Sequence, residues 1–115
     1  MKAIICDNWG PPENLKLKEI DILAPKDEEV QIKVFAAGVN FPDVLIIEGK
    51  YQYKPDFPFS PGSEVAGEII AVGSSVKGFI LGNRVMAVTG HGAFAEKINV
   101  SYKKITAIPD NMSFN

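Results

Sequence analysis

A proline–glycine turn at Pro61-Gly62 feeds the run Val65 to Val72, and Gly73-Ser74-Ser75 turns the chain again. That run is rich in β-formers and too short for a typical helix, so it reads as a central strand around which the other segments must pair. Ser63 and Glu64 stand at its mouth, where a rigid element holds polar side chains against a ligand. Gly67, inside the run, removes a side chain at one point, which marks either a close approach of another element or a bulge.

The flanking segments carry the same period. Lys2 to Cys6 is a short apolar run ended by the turn formers Asp7-Asn8-Trp9-Gly10-Pro11-Pro12, with Trp9 assigned to packing. Leu15 and Leu17 alternate with Lys16 and Lys18 in a half-buried strand, and a charged turn spans Pro25 to Glu29. Next, Val30, Ile32, Val34 and Ala36 alternate with Gln31, Lys33 and Phe35, which places this strand at a wet face of the sheet. Asn40 then stands at a helix N-cap, with Pro42 and Asp43 in the first turn and Gly49 as terminator, predicting one helix over 42–48. From Gly49 to Pro61 the aromatic rings Tyr51, Tyr53, Phe57 and Phe59 are interleaved with prolines. Such a loop is stiff and can wall a pocket or plug one end of a small barrel. Strands are also predicted over 84–88, along the alternation Phe94, Glu96, Ile98, Val100, and over 105–108. One small helix among short strands defines a mostly β protein, a barrel or sandwich.

At 115 residues the chain is expected to be one domain. A formal net charge of −2, with scattered basic residues, gives no footprint for nucleic acid. Asp7 comes too early for a signal peptide, and no apolar run approaches the roughly 18 residues of a membrane helix, so a cytoplasmic protein with no membrane partner is expected. The chain has one cysteine, Cys6, and one histidine, His91. Structural and catalytic zinc sites draw mainly on those two residue types, so the count leaves open only a site built from carboxylates.

Gly90-His91-Gly92-Ala93-Phe94-Ala95 has the spacing of a dinucleotide-binding fingerprint and follows a predicted strand. The fingerprint needs a helix immediately afterwards, and the residues from Phe94 onwards alternate with period two instead. The segment therefore reads as a hairpin turn, with His91 more often a solvent-facing turn residue than a catalyst, although its glycine-flanked position keeps a functional role open.

Taken together, Gly38-Val39-Asn40-Phe41-Pro42-Asp43, Gly49-Lys50-Tyr51, Pro58 to Gly67, Val72-Gly73, Gly82-Asn83-Arg84-Val85 and Gly92 to Glu96 cover essentially the whole chain. In that order they resemble the amino-terminal catalytic domain of the medium-chain dehydrogenase/reductase superfamily, in its zinc-free, zeta-crystallin-like quinone oxidoreductase branch. The zinc enzymes carry Cys where this chain has Asn40 and His where it has Ser63. The cysteine-rich zinc lobe that would follow Arg84-Val85 is missing as well. Asn83 departs from the family's usual Asp, which bears on the stability of that loop.

The resemblance implies a GroES-like, partly open β-barrel with one or two short helices over 1–115, the amino-terminal part of a longer enzyme whose Rossmann domain lies outside this chain. It also implies an exposed edge or apolar patch where a returning carboxy-terminal segment would pack. The implied activity is reduction of a quinone or an α,β-unsaturated carbonyl by hydride transfer from NADPH, with NADH as the alternative, in a homodimer.

Under this reading Asn40 and Tyr51 are catalytic hydrogen-bond donors. Asn40, Phe41 and Ser63 contact the cofactor, and Tyr51, Phe59 and Asp43 contact the substrate. Structural roles compete for several of them: a helix cap for Asn40, a first-turn charge for Asp43, a buried partner of a main-chain amide or Arg84 for Glu64. Rival functions are a GroES-like binding or scaffold module without turnover, and a zinc-independent alcohol dehydrogenase-like or enoyl reductase.

The ligand count gives a first expected outcome. Elemental analysis after dialysis should find no stoichiometric zinc, and about one tightly held zinc per chain would contradict it.

Overall fold

A computed structural model describes residues 1–115. Seven strands form in chain order: β1 Lys2–Ile5, β2 Lys16–Glu19, β3 Glu29–Ala37, β4 Glu64–Val72, β5 Arg84–Val88, β6 Lys97–Ser101 and β7 Ile105–Ala107. The single α-helix, α1, spans Phe41–Ile47, and short 3-10 turns occupy Pro12–Asn14 and Tyr102–Lys104. Five strands make an open antiparallel sheet in the order β6-β3-β4-β5-β7, so β4 is central as its sequence required. β1 and β2 pair separately, and a bridge between Ala3 and Ala95 sets that pair beside the approach to β6. The result is mostly β and not closed.

The core follows from alternation. Val30 and Ile32 of β3, Val65 and Ile69 of β4, Val85 and Ala87 of β5 and Ile98 and Val100 of β6 all point into one cluster. A smaller cluster of Cys6, Ile46, Ile47 and Phe59 lies under α1. Burial raises the Cys6 thiol above its ordinary pKa, which keeps it protonated and unreactive.

Gly67 is both things its position in the run suggested. A Cβ there would sit 1.9 Å from the Lys33 carbonyl oxygen, and the β3–β4 register slips beside it, between Val34 and Ala36. Backbone approaches backbone at this point, and a side chain would force the central pair of strands apart.

Four expectations change, the first being that β2 is exposed along its whole length, Leu17 included, rather than half-buried. β3 lies second in the sheet rather than along a wet face, and Gln31 is buried although its neighbours Lys33 and Phe35 are exposed. The linker from β2 to β3 crosses over it, so that the Gln31 amide donates to the Leu23 carbonyl at 3.3 Å and to Asn99 Oδ1 at 3.2 Å. Glu64 is exposed and makes no pair with Arg84, whose guanidinium instead donates to the carbonyls of Pro109 and Asp110 and lies over the Phe114 ring. The segment from Thr89 to Glu96 is no hairpin, because β5 pairs with β4 and β7 while β6 pairs with β3. It is a crossing strap, hydrogen-bonded on one side to Ser60–Ser63 and on the other to β1. The loop at Asn83 is intact with an amide in place of a carboxylate, since Asn83 Oδ1 accepts from the Ile80 N–H at 3.0 Å.

The outer face of the sheet is apolar, with Phe35, Ile70, Met86 and Val88 exposed, and Phe114 stacks on Phe35 at 4.7 Å. No helix is long and apolar enough to cross a membrane.

Gly67→Ala should lower the unfolding free energy by more than about 3 kcal/mol in urea titrations, because neither backbone can retreat. Gly78→Ala meets nothing within 4 Å and carries only the strain of its φ of +83°, so it should cost about 1 kcal/mol. Equal costs would contradict this assignment.

Candidate functional site

The ends of β3 and β4 define the site. Ala37 is partnered with Val65, and the Gly38 N–H donates to the Glu64 carbonyl at 3.3 Å, so the residues beyond Gly38 and those before Glu64 leave the sheet at the same end. A Cβ on Gly38 would sit 1.9 Å from Glu64 Oε1, and glycine there lets the Glu64 side chain lie across the turn.

From this end the chain enters α1 with Asn40 as N-cap. Asp43 Oδ2 accepts from the Asn40 main-chain N–H at 2.7 Å, and the Asn40 side chain faces the Asp43 N–H in the reciprocal arm of a capping box. The cap role weighed for Asn40 is thus shared with the carboxylate of Asp43, and the exposed side-chain NH2 of Asn40, which only donates, is available to a ligand. Val39 and Phe41 on either side are exposed, Phe41 at 75%. Asp43 itself is 4% exposed, and its Oδ1 has no hydrogen-bond partner.

The helix stops where a Schellman motif stops it. Gly49 adopts φ +72°, its N–H bonds to the Ile46 carbonyl, and the Lys50 N–H reaches the Leu45 carbonyl at 2.9 Å. Trp9 packs against Gly49 and, at 4.4 Å between centroids, against Phe57. Tyr51 follows, 37% exposed and without a hydrogen-bonding partner in the chain. Phe59 is 4% exposed inside the α1 cluster, and its main chain bridges to Cys6.

Ser60 to Ser63 then lie along the crossing strap. The Gly92 N–H donates to the Ser60 carbonyl at 2.7 Å, Ala93 to Gly62 at 3.1 Å, Phe94 to Pro61 at 3.0 Å and Thr89 to Ser63 at 2.6 Å. Gly62 and Gly92 both have positive φ, and a Cβ on Gly62 would collide with Ala93 and Phe94. The strap runs on into β6, not into a helix, so the glycine spacing there has no helix N-terminus to offer a pyrophosphate.

The structure therefore sets Asn40, Phe41 and Ser63 about one end of the β3–β4 pair, with Tyr51 on the loop that returns to it. It buries Asp43 and Phe59 beneath. A hollow of about 550 Å³ opens beside Gly38 and Glu64 on the outer sheet face, floored by Ala36, Ala66, Met86 and Val88, and none of the residues singled out for catalysis lines it. No group of three or more His, Cys, Asp and Glu side chains converges as a metal site would need.

His91 differs from its sequence reading. It is half-buried, with Nδ1 2.6 Å from the Tyr53 hydroxyl and its ring edge-on to Phe59 at 5.8 Å. Burial lowers its pKa from the ordinary 6.5, so the imidazole is neutral at pH 7. With its proton on Nε2, the ring accepts from the phenol at Nδ1. Tyr53 and His91 are far apart in sequence, and nothing in either local pattern pairs them.

Residues 26–110 match the alcohol dehydrogenase GroES-like domain family, and the chain belongs to that family. Among curated proteins it is 40% identical to human quinone oxidoreductase over 99% of this chain and 35% of that protein. It is 36% identical to mouse synaptic vesicle membrane protein VAT-1 homolog-like over 100% of this chain and 28% of that protein. The chain thus spans about a third of the length of these relatives. Among solved structures, human VAT-1 homolog-like protein superposes with a TM-score of 0.95 at 37% identity, over 99% of this chain and 37% of that one. Escherichia coli quinone oxidoreductase complexed with NADPH gives 0.94 at 33% identity, over 99% and 35%. The partly open GroES-like β-barrel expected from the sequence is the observed fold, and quinone oxidoreductases are among the relatives.

The lowered pKa of His91 sets a pH window. The folded state resists the proton that the unfolded chain accepts, so this contribution to stability is whole above the unfolded value of 6.5 and is lost as pH falls through the lower, folded one. Urea midpoints should fall between about pH 7.5 and 5.5, above the range where carboxylates titrate, and His91→Asn should flatten that fall. The same slope in both proteins would contradict the burial of a neutral imidazole.

Proposed function

We propose that this chain is the acceptor-side catalytic domain of an NADPH-dependent reductase of quinones or α,β-unsaturated carbonyls. The observation that carries the reading is the exposed Asn40 side-chain NH2 at the end of the β3–β4 pair, on a turn held by the capping box with Asp43.

NADPH, when bound, supplies the hydride, and the electron-rich oxygen that develops on the acceptor must be stabilised by fixed donors. The Asn40 amide and the Tyr51 phenol are such donors in this reading, and Ser63 adds a hydroxyl at the same end of the sheet. Asn40, Phe41 and Ser63 suit the nicotinamide end of the cofactor, with Phe41 giving an apolar wall that excludes water. The pyrophosphate belongs to a domain beyond this chain. Asp43 and Phe59, being buried, serve the acceptor indirectly here: the carboxylate holds the turn that presents Asn40, and the ring anchors the far end of the Tyr51 loop. The quinone oxidoreductase relatives support the acceptor class, and the E. coli relative complexed with NADPH supports the cofactor over NADH. The same reading takes the whole protein as a cytoplasmic homodimer.

The 115-residue chain alone should not oxidise NADPH in the presence of a benzoquinone or naphthoquinone, and turnover by it would overturn the division of labour. In the protein that joins this chain to its cofactor domain, Tyr51→Phe should lower kcat by less than about 100-fold, since Asn40 and water substitute in part. Unchanged kcat and KM would remove Tyr51 from the donors. No quinone or enone reduction by that whole protein would favour a binding module instead.

A further inference from the structure

The loop that carries Tyr51 is poorly tethered. Between Lys50, whose N–H closes the end of α1, and Phe59, whose main chain bridges Cys6, the segment Tyr51–Pro58 makes no main-chain hydrogen bond. Its apolar side is held by the burial of Pro55 and by Phe57 against Trp9. Its one hydrogen bond is Tyr53 Oη to His91 Nδ1 at 2.6 Å.

The partner of that bond is itself firmly placed. The His91 carbonyl accepts from Thr89 Oγ1 at 3.0 Å, its ring meets Phe59, and its neighbours Thr89 and Gly92 are bonded to Ser63 and Ser60. Gly90 completes the seat: a Cβ there would lie 2.8 Å from the Tyr53 hydroxyl, so only glycine lets the phenol rest against the strap. A side chain on the loose loop is thus clamped to the segment that also fixes Ser60–Ser63 at the mouth of β4.

We propose that Tyr53 and His91 form a latch that holds the Tyr51 loop over the acceptor end of the sheet, making His91 a positioning residue for the Tyr51 phenol. The proposal rests on the reading of Tyr51 as a donor. Without the latch the loop samples other arrangements, and only the fraction with the phenol in place turns over at the full rate. A hydrogen bond of ordinary net strength corresponds to about a 5-fold change in the equilibrium constant between the two arrangements, and so to at most about a 5-fold change in that fraction.

Two arms test it separately. In the 115-residue chain, ¹⁵N relaxation of the amides from Tyr51 to Phe57 should show new fast motion in Tyr53→Phe and in Gly90→Ala, which displaces the phenol while leaving both partners present. An equally rigid loop in both variants overturns the latch, whatever the enzyme does. In the whole protein, with NADPH and a benzoquinone acceptor, Tyr53→Phe and His91→Phe should each lower kcat by up to about 5-fold, and the double variant should be no worse than either. His91→Asn, which keeps an acceptor near the Nδ1 position, should recover most of the loss.

A merely structural role is separated by background. In Tyr51→Phe protein the latch variants should have no further effect on kcat, and an undiminished further loss overturns the positioning role. If the loop loosens as expected but the wild-type protein reduces no quinone, the functional reading fails, and with it the role for Tyr51, while the clamp itself stands.

Discussion

The main-chain ladder between Ser60–Ser63 and Thr89–Phe94 is the constraint from which the working end of this domain follows. It joins the turn that launches the central strand to a strap crossing from β5 to β6, and the strap is in turn bonded to β1, with the Ile4 N–H donating to the Phe94 carbonyl at 2.8 Å. Three parts of the chain that share no sheet pairing are thereby held together. Only glycines fit its tightest points, since Gly62 and Gly92 both need positive φ and Gly62 lies against Ala93 and Phe94. Ser63, the Tyr53–His91 contact and the burial of Phe59 all depend on where this ladder runs.

A second constraint acts inside the sheet. At Gly67 the Lys33 carbonyl takes the space of a side chain, and the register slips beside it before β3 and β4 pair on through Ala37 and Val65 to the Gly38–Glu64 hydrogen bond. Beyond that bond the chain passes into α1 at the same end where β4 begins. The Asn40 amide, Ser63 and the Tyr51 loop are therefore gathered by backbone geometry and not by contacts among their side chains. In the proposed function this arrangement keeps the donors free for a ligand, and its weak point is the one loop that main-chain bonds do not reach.

Much of this was legible in the sequence where side chains carry the signal. β4 is central because its run is β-rich and bounded by turn formers, and α1 is capped where Asn40, Asp43 and Gly49 said it would be, although it begins at Phe41 rather than Pro42. Gly67 announced a close approach because no other residue leaves such a gap. The strap was not legible, because main-chain hydrogen bonds leave no side-chain pattern, and the alternation from Phe94 onwards imitated a hairpin strand. In fact Phe94 and Glu96 spend their main-chain groups on β1 and β3 before β6 begins at Lys97. Gln31 misled for a related reason: its cover is the β2–β3 linker, which the period of its own strand does not encode. The partnership of Tyr53 with His91 lies 38 positions apart and depends wholly on the strap.

Amide hydrogen exchange on the 115-residue chain tests the ladder most directly. The amides of Thr89, Gly92, Ala93 and Phe94 should exchange as slowly as those of Val65 to Ile69 in β4, because both sets open only when the sheet does. Exchange of those four amides at the fast rate of an open turn such as Lys77 to Gly78 would contradict the account, and the placement of Ser63, Tyr53 and Tyr51 that rests on it.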